Sequence, residues 1–272
     1  MLTAAFLGAV LGATVVHADV QDQVSAVIDS IAWQHGPGLV QIADIARIRL
    51  PDGFMFASGD DTRRLMHLLG NPTSGNEVGF VAPSSLAWFV IFQFSPVGYV
   101  SDDDRRNLDA DALLETLRQH NRTANQERKQ RGWSLFQIEG WQTRPHYDAR
   151  TRNLEWAIRG RSAGDVVVNH NVRLLGRTGV MAAALVVDPA QLAQVRPVFH
   201  ELMAGYGFQP GMRYSDYRKG DRLAGYGLAV LLAGGAAAAA KSGLLSGIWK
   251  VVTVASAALG GFLTKLLRRK RA

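Results

Sequence analysis

Four polar side chains on two short segments are the first place where chemistry could sit. In Asn153 to Arg161, Leu154, Trp156 and Ile158 alternate with Glu155, Ala157 and Arg159. In Val166 to Leu175, Val166, Val168, His170 and Val172 alternate with Val167, Asn169, Asn171 and Arg173. A strand sends successive side chains to opposite faces. If Glu155, Asn169, Asn171 and Arg173 share a face, they form a charge-paired and amide patch suited to a hydroxyl-rich or carboxylate ligand. The alternative is an ordinary solvated sheet face, common in antiparallel sheets.

A second concentration is GWQTRPHYD, Gly140 to Asp148, whose Trp141, His146, Tyr147 and Asp148 read as a binding loop for a small ligand or an envelope protein. Asp148 and Glu155 together are the alternative: a carboxylate pair for hydrolysis of an envelope glycan, which requires a defined separation. His146 and Asp148 alternate as metal ligands, but no third ligand is spaced to match. No metal is therefore expected, and His146 reads as a buried, hydrogen-bonded histidine.

The sequence holds no G-x-S-x-G elbow, H-E-x-x-H pair, phosphate loop or dinucleotide fingerprint. With no cysteine, thiol catalysis is excluded. No catalytic residue and no cofactor are assigned, and the reading leans away from an enzyme. Asn121-Arg122-Thr123 fits a glycosylation sequon, meaningful only in a eukaryotic secretory route.

The elements that must carry these residues follow from patterning. Val20 to Trp33 has a helical stripe at Val20, Val24, Val27, Ile28 and Ile31. Gly38 to Ile42 and Ala46 to Leu50 are β-like, Asp60 or Asp61 is placed to cap a helix over Thr62 to Leu69, and Leu86 to Phe94 reads as a buried strand. Ser101-Asp102-Asp103-Asp104 reads as the N-cap of a long helix reaching Arg131, since the alternating ligands of a calcium loop are missing. Leu113, Leu114, Leu117 and Ala124 give that helix an apolar face, and its polar second half is expected to project into solvent.

Period-two segments at Ser134 to Trp141, Asn153 to Arg161, Val166 to Leu175 and Val180 to Val187 make an antiparallel meander. Asp188-Pro189 then opens a helix with Leu192, Val195, Val198 and Phe199 inward, ending near Gly205. The fold class is α+β: a mainly antiparallel sheet covered by helices, plus one C-terminal transmembrane helix. By fold analogy the arrangement resembles the PsbP/Mog1-like one, which carries no function with it.

The chain has 272 residues, 47% hydrophobic and 19% charged, enough to bury a core. Its net +7 is a property of the tail. The seven basic residues from Lys241 onward, set against a total of 30, leave the upstream body with 23 basic and 23 acidic groups. A neutral body does not call for nucleic acid. Residues 1–18 read as an export signal ending in Val16-His17-Ala18, and 19–222 as the exported domain. Residues 223–247 form an Ala/Gly-rich helix and linker that packs on the body or leads obliquely into the bilayer. Residues 248–267 have the length of a membrane span, about 30 Å as a helix. Trp249 and Lys250 anchor one edge, Lys265, Arg268 and Arg269 the other, and the basic tail 268–272 is expected to stay cytoplasmic. These segments place the main domain on the periplasmic side of a bacterial inner membrane, with the bilayer as one partner.

The motifs GYVSDDD (Gly98 to Asp104), LDADALL (Leu108 to Leu114), NQERKQRGW (Asn125 to Trp133), GWQTRPHYD, NLEWA (Asn153 to Ala157), LLGRTGVM (Leu174 to Met181) and GDRLAGYGL (Gly220 to Leu228) cover most of the chain. In them the sequence resembles a bacterial family of membrane-anchored proteins carrying a domain of unknown function. The resemblance implies an export signal and a C-terminal membrane segment, and lends no catalytic residue. The expectation is a non-enzymatic envelope binding or interaction module facing the periplasm.

Overall fold

A computed structural model describes residues 25–103, 105 and 108–228. The expected signal at 1–18, the span at 248–267 with Trp249, Lys250, Lys265, Arg268 and Arg269, the tail, and most of 223–247 lie outside the described residues. Among those described, no helix is long and apolar enough to cross a membrane.

The elements run β1 (Gln34–His35), β2 (Gly38–Ile42), β3 (Ala46–Leu50), β4 (Phe54–Ser58), α1 (Gly59–Leu68), β5 (Glu77–Pro83), β6 (Phe89–Ser95), α2 (Ala110–Gln130), β7 (Phe136–Asp148), β8 (Asn153–Ser162), β9 (Asp165–Leu175), β10 (Val180–Val187), α3 (Leu192–Ala204) and β11 (Tyr206–Phe208). Eight strands make one antiparallel sheet in the order β1-β4-β5-β6-β10-β9-β8-β7. A second, three-stranded sheet has the order β11-β3-β2.

The large sheet is buried on both faces, which is why β10 reads as an unbroken apolar run and β6 as one interrupted only by Gln93 before its terminal Ser95. One face packs Phe56, Phe92, Val168, Val172, Ala183 and Leu185 against the small sheet and against Val195, Phe199 and Leu202 of α3. The other meets α1 through Leu65 and Met66, and α2 through Leu113 and Leu117. The meander β7 to β10 follows the expected order, and β2 and β3 fall on their expected residues. Residues 25–29 are helical, within the stripe read from Val20 to Trp33.

Several expectations are corrected. Helix α1 begins at Gly59 with Ser58 as its N-cap, so Asp60 and Asp61 lie in its first turn. Helix α2 is capped by Asp109, whose Oδ1 accepts from the amides of Asp111 and Ala112. Asp102 cannot cap it because Tyr147 and Tyr214 donate to its carboxylate. The second half of α2 does not project into solvent: Asn121, Ala124 and Arg128 continue the buried stripe of Leu113 and Leu117. Asn121 and Asn125 donate to the Phe136 carbonyl, each at 2.7 Å, and the Phe136 amide donates to Asn125. Polar side chains thus dock this helix on β7 by hydrogen bonds, which apolar periodicity cannot register, and burial removes Asn121 from the reach of a glycosylating enzyme. In α3, Val198 faces solvent and Leu202 takes the inward place.

Residues Trp141 to Asp148 are strand, not loop. β7 lies at the sheet edge, where Pro145 costs no ladder bond. Register shifts near Gly140 and between Thr143 and His146 break the strict alternation that would have marked it. Beyond β11, Arg177 grips Asp221 through two 2.7 Å contacts, joining two of the motifs, LLGRTGVM and GDRLAGYGL. That pair and the main-chain bonds of Tyr99 with Arg222 and Ala224 hold the start of the Ala/Gly-rich stretch against the domain, with Leu228 buried.

Candidate metal centre

The register of β8 on β9 divides the residues that the sequence suggested as one patch. Leu154 lies opposite Arg173, Trp156 opposite Asn171 and Ile158 opposite Asn169, whereas Glu155 lies opposite Val172 and Ala157 opposite His170. Directly paired residues send their side chains to the same face. Asn169, Asn171 and Arg173 therefore share the α2 face with Trp156, and Glu155 shares the α3 face with His170. The four do not form one site, because a carboxylate at an odd position of β8 can meet only even positions of β9 in this register.

On the α3 face Glu155 is the centre of three histidines. His170 Nε2 lies 2.6 Å from Glu155 Oε1, His200 Nε2 lies 3.5 Å from the same oxygen, and His146 Nε2 lies 3.8 Å from Oε2. Each arrives on a different element: His146 from its register position opposite Glu155 on β7, His170 from β9, and His200 from α3. Phe199 sets its ring edge-on to His170 at 5.4 Å, holding the buried imidazole in place. His170 is buried, Glu155 is partly buried, and His146 and His200 stand half in solvent. His146 is thus not the buried histidine expected from sequence; His170 is.

Burial works against charge on Glu155, but the hydrogen bond from His170 and the attraction of His170, His146 and His200 outweigh it and hold the carboxyl below its ordinary range. An ionised carboxylate facing three imidazole nitrogens is a ligand set for a borderline divalent cation of the zinc type. Ligand atoms of Glu155, His170 and His200 lie within 4.8 Å of one another. Tetrahedral zinc with bonds near 2.1 Å wants edges of about 3.4 Å, a closure within the swing of the half-exposed His200. His146 stands outside that trio, with its 3.8 Å contact to Glu155 Oε2, so three protein ligands would leave a fourth position open.

The carboxylate-pair reading needs one acid kept protonated to act as proton donor. Asp148 ends β7, and its Oδ1 accepts from the amides of Arg150 and Thr151 in the turn that follows. The Arg150 amide bond chiefly holds it below the ordinary carboxyl range, with Thr151 and the Arg150 charge adding to the effect. Both carboxyls are thus held below their ordinary range, which works against either serving as the proton donor.

The remaining sequence candidates lie on the α2 face. Tyr147 donates to Asp102 at 2.5 Å and is structural, tying the 97–103 segment to β7. Trp141 packs on the cluster of Leu154, Trp156 and Ile158. Asn171 donates to the Asn169 carbonyl, and Arg173 lies with its guanidinium carbon 4.9 Å from the centre of the Trp156 ring. His170 and His200 were missed as site residues because they stand 15 and 45 positions from Glu155. Only the pairing of β8 with β9 and the packing of α3 bring them together.

Among solved structures, the chain is similar to cyanobacterial PsbP (CyanoP) from Synechocystis sp. PCC 6803. The identity is 10%, with 66% of this chain and 93% of that one covered and a TM-score of 0.40. It is also similar to PA94 from Pseudomonas aeruginosa, a protein of unknown function and putative regulator. There the identity is 13%, the coverage 61% and 92%, and the TM-score 0.24. No curated protein matches the chain. Residues 34–263 match the model of a family described as protein of unknown function (DUF2167), and the chain belongs to that family.

Proposed function

We propose that the chain is a non-catalytic, membrane-anchored envelope module whose folded domain captures a zinc-like divalent cation between β7, β8, β9 and α3. The carrying observation is the convergence of His146, His170 and His200 on the Glu155 carboxylate. Three ligands on β8, β9 and α3, with His146 of β7 beside the carboxylate, suit holding an ion, either for delivery or to stiffen the surface formed by β7 and α3 for an envelope partner. The anchoring half of the proposal rests on the apolar stretch 248–267 with Trp249, Lys250, Lys265, Arg268 and Arg269 at its edges.

Two measurements test it. Full-length protein in detergent, stripped with chelator and titrated with zinc, is expected to bind one ion per chain in a calorimeter, and Glu155→Gln to bind at least about 100-fold more weakly. Unchanged affinity in that variant would remove the metal site. Alkaline phosphatase and fluorescent-protein fusions at Gly243 and after Ala272 are expected to report active phosphatase at the first position and fluorescence at the second. The reverse pattern would remove the proposed topology.

A further inference from the structure

On the opposite face of the sheet from the metal site, we propose a second site, in which Arg173 receives the carboxylate of a small organic acid that carries an N–H or O–H donor beside it. The starting point is a buried charge without a partner. Arg173 is 3% exposed, and its guanidinium makes no ion pair and no hydrogen bond among the described residues. It lies over the Trp156 ring, with its guanidinium carbon 4.9 Å from the ring centre. Burial pulls its pKa down to about 10, with no carboxylate among the described residues opposing the shift. A buried cation is strongly unfavourable unless an anion or hydrogen-bond acceptors compensate it.

The surroundings are those of a receptor for more than a bare anion. Among the described residues, Arg173 Nη1 and Trp156 Nε1 are buried donors without acceptors, and Asn171 Oδ1 and Gln93 Oε1 are buried acceptors without donors. Register puts them together: Gln93, Ala182, Arg173 and Leu154 form one row across β6, β10, β9 and β8, and Ile91, Ala184, Asn171 and Trp156 form the next. Gln93 and Arg173 stand two strand spacings apart, about 10 Å. The residues between them, Ala182 and Ala184, leave the floor low. The carboxylate in that row, Glu77 on β5, is not the counter-charge, for it is consumed by the amides of Ser74 and Gly75, the Ser74 hydroxyl and Gln93 Nε2. Two donors and two acceptors left over at this scale match an amino acid or a 2-hydroxy acid, whose carboxylate faces Arg173 and whose donor faces Asn171 or Gln93.

Ordered water is the competing occupant, and the test separates the two. Full-length protein in detergent is titrated by calorimetry and by thermal melting with acetate, L-lactate and L-alanine. Saturable binding of lactate or alanine, at least tenfold tighter than acetate and accompanied by a rise in melting temperature, is the expected result. Arg173→Met is expected to abolish it. Arg173→Lys, which keeps the charge but loses the planar fork, is expected to weaken it at least tenfold, and it decides the matter should the Met variant fail to fold. Gln93→Leu is expected to bring lactate down to the acetate level. Absence of saturable binding by all three probes, or binding that survives both Arg173 variants, would overturn the proposal. Zinc binding is expected to be unchanged in these variants, so the two sites fail or stand separately.

Discussion

Glu155 and His170 meet at 2.6 Å although they are not register partners. Glu155 lies opposite Val172 and His170 opposite Ala157, so the contact runs diagonally across β8 and β9 over the short Ala157 side chain. The diagonal leaves the second carboxylate oxygen facing His146 and brings both toward α3, where His200 waits. One buried imidazole and two half-exposed ones around a single carboxylate give the site a fixed side and a movable side.

That asymmetry orders the ligands. His170, buried and set by Phe199, is expected to cost most when removed: His170→Ala should weaken zinc binding at least about 100-fold, since even outer-shell changes at metal sites cost 10–100-fold. His200→Ala should follow, and His146→Ala, farthest from the carboxylate, should cost about tenfold. Calorimetric titration of the three variants checks the order. Equal effects would mean the ion sits elsewhere.

The depressed Glu155 carboxyl makes a stability prediction in the absence of metal. Its native pKa lies below the ordinary glutamate value because of the surrounding histidines, despite burial. Such a group contributes stability that is complete above the unfolded-state pKa and is lost as pH falls through the native one. Urea melts of metal-free wild type and Glu155→Gln should therefore differ most near neutral pH and converge as pH drops below about 4. A gap that widens on acidification would contradict the assignment.

Asp102 should behave in the same sense at a different place. Burial opposes its charge, but the hydrogen bonds from Tyr147 and Tyr214 keep its pKa low, and burial together with that carboxylate drives both tyrosines well above the ordinary phenol range. Asp102→Asn is expected to cost about 1–3 kcal/mol at pH 7, the range for hydrogen bonds to a charged acceptor. Tyr147→Phe should cost less, and the double variant less than the sum, because one bond is shared. Strict additivity in chemical denaturation would show that the two groups do not interact in solution.

Much of the fold was legible because it is written in alternation. Strands β8, β9, β2 and β3 and the apolar half of α2 announce themselves by the alternation or period of their side chains, and β10 by its unbroken apolar run. The docking of α2 was not legible, since Asn121, Asn125 and Arg128 look like solvent positions until Phe136 is placed beneath them. The edge strand β7 was hidden by Gly140, Pro145 and shifting register. Parity within β8 and β9 was readable, yet which odd residues face which even ones depends on a pairing that a single strand does not encode. Glu155 and Arg173 therefore looked like partners and belong to opposite faces, while His200 became visible only through the packing of α3.

Gly160 offers a test of how tightly α2 and β7 are seated. It lies near the end of β8, opposite Ile138, and a Cβ there would stand 2.2 Å from Cζ of Phe136 and 2.9 Å from the Gln137 carbonyl oxygen. The Phe136 ring is fully buried, and its backbone is held by Asn121 and Asn125, so neither the ring nor the chain can step aside cheaply. Overpacking of a fixed core typically costs 1–3 kcal/mol, and a clash with both a ring and the main chain belongs at or above the upper end. Gly160→Ala is expected to lose about 3 kcal/mol in urea unfolding. Adding Phe136→Leu, which removes the ring edge, should recover part of that loss, so the double variant is more stable than the two single costs add up to. Full additivity would mean that the main chain around Gln137, and not the ring, excludes the methyl group.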